Sequence, residues 1–223
     1  MHRMILTRRT ALALVPLAAA PFGRARGAPA PVNPPVPPGG KLTFSVWRQG
    51  GQIGMHMVQF TQSGDTLKVQ THAHFSVGLG PLKFFSYTYQ VTELWQGGAL
   101  QSLAAQTDDN GQHETCNARR QGEQLLVTGT KSGSYTAPKG SIAGTHWNQA
   151  ELKAPMINPE NGAQMHYTVV DKGMTPPPGG HAPAHQFGLT GYATLDIWYD
   201  AVATWVGLKA TAKDKSVVEY RAI

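Results

Sequence analysis

From Leu42 onward the apolar residues recur at every second position, and this rhythm limits the possible folds more than any other feature of the chain. Successive side chains of an extended strand point to opposite faces, so a period of two marks a ribbon with one covered face. Leu42, Phe44 and Val46 alternate with Thr43, Ser45 and Trp47, and after Gly50-Gly51 the residues Ile53, Met55 and Met57 alternate with Gly54, His56 and Val58. A third segment sets Leu67, Val69, Thr71, Ala73, Phe75 and Val77 against Lys68, Gln70, His72, His74 and Ser76. A fourth, from about Phe84 to Trp95, lines up Phe85, Tyr87, Tyr89, Val91, Glu93 and Trp95. Similar segments follow, among them 99–107, 124–130, 193–199 and 217–222, with turn chemistry such as Asp108-Asp109-Asn110-Gly111 between them. No long 3.6-residue apolar stripe occurs after the first 27 residues. The sequence therefore predicts an all-β domain of about ten strands, closed as a single antiparallel β-barrel or bent into a strongly curved, clam-like sheet, because sheet edges need protection. A two-sheet sandwich fits the same pattern.

Register can be predicted at one place. A two-residue turn at Gly50-Gly51 sets Val46 opposite Met55 and Phe44 opposite Met57, with both apolar sets on one face and His56 on the other. The rhythm fails over 138–163 and again over 172–184, where Pro176-Pro177-Pro178-Gly179-Gly180 stands out. Long irregular connections in a small domain are commonly lids or rims, and the second segment equally suits disordered decoration.

The front of the chain has a different character. Residues 1–27 hold Arg3, Arg8, Arg9, Arg24 and Arg26, no acid, and the apolar run from Ala11 to Ala20. That order reads as an export signal, and Thr7-Arg8-Arg9-Thr10 resembles a twin-arginine address, with an ordinary secretory signal as the alternative. Cleavage is expected after Gly27. The predicted organisation is a signal over 1–27, a proline-rich spacer over 28–40 and one domain over 41–223, in the periplasm or secreted. Once the signal is removed, 14 basic residues face 13 acidic ones, a net charge of +1. The remaining lysines are scattered singly, so a nucleic-acid partner is not expected, nor is a transmembrane span. Cys116 is the sole cysteine, so the core has to hold without an internal disulfide.

Candidate functional residues follow from the faces. Glu93 lies among aromatic positions, where a carboxylate must be paired, hydrogen-bonded or protonated, and Arg48 is its predicted partner. His56 is a general acid or base candidate if it shares a cavity with Glu93. His72 and His74, and His181 and His185, lack a third ligand at a diagnostic spacing, so no metal is expected. Serine-nucleophile motifs are absent, and Gly78-Leu79-Gly80-Pro81 is not a phosphate loop, so no cofactor is implied.

Ile53-Gly54-Met55-His56, Tyr87-Thr88-Tyr89 with Glu93-Leu94-Trp95, Thr145-His146-Trp147-Asn148, and Leu195-Asp196-Ile197-Trp198-Tyr199-Asp200 with Trp205-Val206 together resemble an exported bacterial family of unknown function numbered 6134. The likeness covers most of 42–222. It implies secreted or periplasmic all-β proteins with no established activity, and a distant similarity to the 3108-type envelope β-proteins implies a curved sheet around a cavity. The matching positions are His56, Glu93, Trp95, Trp147, Asn148, Trp198, Tyr199 and Asp200, none with an implied chemical role. Ala203 departs from an expected glycine.

Three functions remain open on the sequence. The leading one is an exported protein that binds an apolar or amphipathic small molecule in an aromatic-lined cavity formed by Arg48, His56, Tyr89, Glu93, Trp95, Trp147, Asn148, Trp198 and Tyr199. The second is an enzyme acting on a carbohydrate or lipid through His56 and Glu93. The third is a structural or partner-binding envelope protein.

Overall fold

The structure, a computed structural model, describes residues 33–79, 82–180, 182–212 and 214–223. The signal expected over 1–27, the first part of the spacer and His181 lie outside the described residues. The spacer ends in a single 3₁₀ turn at Pro38–Gly40. The strands then follow in order: β1 (Lys41–Arg48), β2 (Gly51–Ser63), β3 (Thr66–Leu79), β4 (Leu82–Gln96), β5 (Ala99–Asp109), β6 (Gln112–Gln121), β7 (Gln124–Gly129) and β8 (Gly133–Ala137). Three two-residue strands come next, β9 (Ile142–Ala143), β10 (Met156–Ile157) and β11 (Gln164–Met165). The chain ends with β12 (Tyr167–Thr175), β13 (Ala184–Gly191), β14 (Leu195–Tyr199), β15 (Trp205–Thr211) and β16 (Val217–Ala222).

The fold is all-β, and its main sheet has thirteen strands in the order β12-β13-β14-β15-β16-β1-β2-β3-β4-β5-β6-β7-β8. That corrects the expected count of about ten. Strand β8 escapes the alternation because Gly133-Ser134-Tyr135-Thr136-Ala137 offers little apolar signal. The sheet curls without closing, since β12 and β8 each have a neighbour on one side alone. The curl is measurable. Strands β16 and β3 are three spacings apart in the sheet, about 14 Å if it were flat, yet the rings of Tyr220 and Phe75 approach to 6.1 Å.

The concave face is built in rows that cross the strands. One row runs Phe44, His56, Ala73, Tyr89 and Thr107; the next Val58, Thr71, Val91, Ala105 and Cys116; a third Phe60, Val69, Glu93, Leu103, Ala118 and Val127. All of these residues are buried. The faces read for β3 and β4 are therefore the ones the sheet uses, and His72 and His74 point outward, exposed.

The reading of β2 needs correcting. Gln49 and Gly50, with φ of 50° and 81°, make the two-residue turn, and a bulge between Val46 and Trp47 shifts the pairing. Phe44 consequently faces His56 and Val46 faces Gly54, one position away from the expected Met57 and Met55. A one-residue slip exchanges the two faces, so His56 goes inside and Met57 comes out, 40% exposed. Ala203, at the position expected to be glycine, has a φ of 64°, a conformation that glycine adopts without strain.

Residues 138–166 are neither lid nor rim. They enter the trough of the curled sheet as a plug, with β10 pairing to β9 and β11 and a 3₁₀ turn at Gln149–Leu152. A sheet with one apolar concave face has to cover it, and this segment does so with Ile142, Trp147, Met156 and Ile157, all buried. Residues 176–180 pack on other strands: a Cβ at Gly207 would meet Pro177 Cβ at 2.8 Å, and one at Gly179 would meet Arg221 Cδ at 2.9 Å.

Close approach between β2 and β3 demands glycine at position 54, where a Cβ would lie 1.9 Å from the His74 carbonyl oxygen. Gly54→Ala is expected to destabilise the domain by about 3 kcal/mol through this backbone clash, measurable as a lower urea midpoint.

Candidate functional site

Glu93 is completely buried, and its two carboxylate oxygens accept three hydrogen bonds. Trp95 Nε1 donates to Oε2 at 2.9 Å, while Trp147 Nε1 and Thr145 Oγ1 donate to Oε1 at 2.9 and 2.8 Å. Arg48 is elsewhere, paired with Asp214 and donating from Nε to Ser216 Oγ at 2.8 Å. The expected Glu93–Arg48 pair is thus replaced by neutral donors, two of them from the plug, because Arg48 ends β1 beside the 212–216 turn. Burial raises the Glu93 pKa and the three hydrogen bonds oppose it, leaving it at about 7.

A second buried carboxylate belongs to the plug itself. Glu151, 1% exposed, accepts from the His146 backbone N–H at 3.0 Å and lies 2.9 Å from His146 Nδ1. Tyr199 Oη reaches over from β14 to Glu151 Oε1 at 3.2 Å and to the His146 carbonyl at 2.9 Å. His146 adopts a left-handed φ of 70° to hold this arrangement. Burial works to lower its pKa, and the charge and hydrogen bond of Glu151 outweigh that and raise it.

Between plug and wall lies a cavity of about 210 Å³. Ala73, Phe75, Tyr87, Tyr89 and His56 line it from β2 to β4, Tyr220 from β16, and Thr145, His146, Asn158 and Glu160 from the plug. Tyr167 and Tyr192 line the remaining side. Tyr87 Oη donates to Glu160 Oε1 at 2.5 Å, and Asn158 Nδ2 donates to Tyr192 Oη at 2.8 Å. His56 Nε2 is buried with no hydrogen-bond partner among the described residues. Burial and the neighbouring His146 lower the His56 pKa to about 3, so the imidazole is neutral.

Of the residues expected at a site, His56 and Tyr89 line this cavity. Glu93, Trp95 and Trp147 form a separate buried cluster, with the two indoles edge to face at 5.6 Å. His56 and Glu93 share the concave face but not a site. Glu93 sits four residues along β4 from Tyr89, the residue in the His56 row, which is about 13 Å of strand. That exceeds hydrogen-bond reach, directly or through one water. Asn148 caps the 3₁₀ turn by accepting from the Ala150 N–H at 3.1 Å. Trp198 Nε1 donates to Thr175 Oγ1 at 2.8 Å. Sequence reasoning missed Tyr220, His146 and Glu160, which share the cavity with His56, and Glu151, which holds His146. Tyr87 carried the one available signal, two positions before Tyr89 on the same face.

Among the described residues no group of three or more His, Cys, Asp or Glu is placed to hold a metal ion. No helix among them is long and apolar enough to cross a membrane.

Comparison with known proteins gives fold and family. A family described as a domain of unknown function, DUF6134, matches residues 44–223. A crystal structure of a β-barrel-like protein of the DUF1849 family from Brucella abortus is similar, with a TM-score of 0.58 at 8% identity. The similarity covers 87% of this chain and 98% of that one. No curated protein sequence matches.

The raised Glu93 pKa has a consequence for stability. Between about 4.5 and about 7 the native state holds a proton that the unfolded chain has released, so stability is expected to fall as pH rises through that window and to level off above it. Glu93→Gln should flatten that slope. It should also cost about 2 kcal/mol at pH 5, because its amide NH₂ offers Trp95 a donor where an acceptor is needed. Urea unfolding at pH 5, 6, 7 and 8 checks both.

Proposed function

We propose that this chain, which belongs to the DUF6134 family, is a binding protein that takes up a compact amphipathic molecule in the cavity between the curled sheet and its plug. The observation that carries this reading is the cavity itself, which the plug leaves open against His56, Tyr87 and Tyr89 on the wall of the sheet. The apolar surface of Ala73, Phe75 and Leu195 supports an amphipathic occupant over a purely polar one. A volume of about 210 Å³ suits a small molecule or a head group better than a whole lipid.

Acid–base catalysis through His56 and Glu93 is disfavoured by their separation. The His146–Glu151 pair offers a better-oriented imidazole, but no serine or cysteine lines the cavity to serve as a nucleophile. Residues 1–27 support export, and N-terminal sequencing of protein recovered from the periplasm or medium is expected to begin at Ala28.

Ala73 stands between His56 and Tyr89 in register, so a larger side chain there fills the cavity. After exposure to a cell-envelope extract, the purified protein is expected to carry a small molecule in native mass spectrometry, and Ala73→Phe to carry none while melting within a few degrees of the parent. Equal retention by Ala73→Phe would remove the cavity from the account.

A further inference from the structure

We propose that the ligand is a compact organic cation, an ammonium group bearing apolar substituents, held in a cage of tyrosine rings with Glu160 as its counter-ion. This inference rests on the binding reading above and adds the charge and class of the ligand.

The lining of the cavity is chemically one-sided. Five tyrosines, Tyr87, Tyr89, Tyr167, Tyr192 and Tyr220, surround it together with Phe75, and neither lysine nor arginine is present. The rings come from several directions. Phe75 and Tyr87 stack at 5.2 Å and Tyr87 and Tyr89 at 6.3 Å along the wall, Tyr220 stands edge-on to Phe75 at 6.1 Å, and Tyr167 meets Tyr192 at 6.3 Å on the opposite side. Aromatic rings attract cations through their π-electrons, and a cavity walled by six of them without lysine or arginine favours a cation whose charge is spread over a few carbon substituents. A bare metal ion finds no such ligand set here.

The charges facing the cavity point the same way. His56 is neutral, and the Glu151 carboxylate is turned away from the cavity to His146 and Tyr199. Glu160 remains. One of its oxygens accepts from Tyr87, and the other makes no hydrogen bond among the described residues. Its charge reaches around the site: after burial, Glu160 is the next contributor raising the Tyr87, Tyr89 and Tyr220 pKa values. The hydroxyls of the lining tyrosines, with Thr145 and Asn158 from the plug, can meet a polar substituent on the cation.

Choline and its neutral isostere 3,3-dimethylbutan-1-ol have the same shape and differ in charge, so calorimetric titration of the purified full chain with each separates cage from cavity. Wild-type protein is expected to bind choline at least tenfold more tightly than the alcohol. Glu160→Gln should reduce that preference at least threefold and leave the alcohol's affinity unchanged, and Tyr167→Leu, which keeps the carboxylate, should weaken choline at least fivefold. Ala73→Phe should bind neither probe. Equal or tighter binding of the alcohol by wild type would overturn the cation and leave the cavity reading standing. Binding of neither probe by wild type would overturn the cation as well, and the envelope-extract experiment then decides the cavity reading separately.

Discussion

A single carboxylate ties the two parts of this protein together. Glu93 projects from near the end of β4 into the trough of the sheet and accepts hydrogen bonds from Trp95 on its own strand and from Thr145 and Trp147 in the plug. Burying a carboxylate is unfavourable, and three donors are what make it tolerable. The donors are useful only if the plug enters in one register, so the penalty itself selects the position of residues 145–147. Phe60 and Trp95 then close on the Trp147 ring, at 5.3 and 5.6 Å, and convert that register into apolar packing.

Everything on the cavity side follows from where the plug is pinned. With Trp147 fixed, His146 has to turn through a left-handed conformation, and Glu151 folds back to hold both its backbone N–H and its ring. Further along the plug, the side chains of Asn158 and Asn161 accept from the Glu160 and Ala163 N–H groups and shape the turns that present Glu160. The row containing Glu93 is filled, and the row containing His56 is not. The same segment that completes the core at one level therefore leaves space at another, four residues along the strand.

Much of the wall is legible in the sequence. The alternation in β3 and β4 assigns Ala73, Phe75, Tyr89 and Glu93 to the inner face, and the structure keeps them there because neither strand carries a bulge along that stretch. The same argument misassigned β2. One extra residue at the Val46/Trp47 bulge reverses the parity of everything paired beyond it, and no side chain near that point signals it. Arg48 shows a related limit. Its position at the end of β1 suggested the core, but the strand end lies beside Asp214 and Ser216, which are near only after β16 has paired with β1.

The amino-acid order by itself determined that this chain is all-β with an aromatic face turned inward, because side-chain parity along a strand is a local property that needs no partner. Tertiary structure alone decided that the sheet curls without closing, that residues 138–166 fill it, and that His56 faces tyrosines and Glu160 rather than Glu93. Those facts depend on strand pairing, bulges and long-range hydrogen bonds between segments tens of residues apart, and no periodicity in the sequence encodes them.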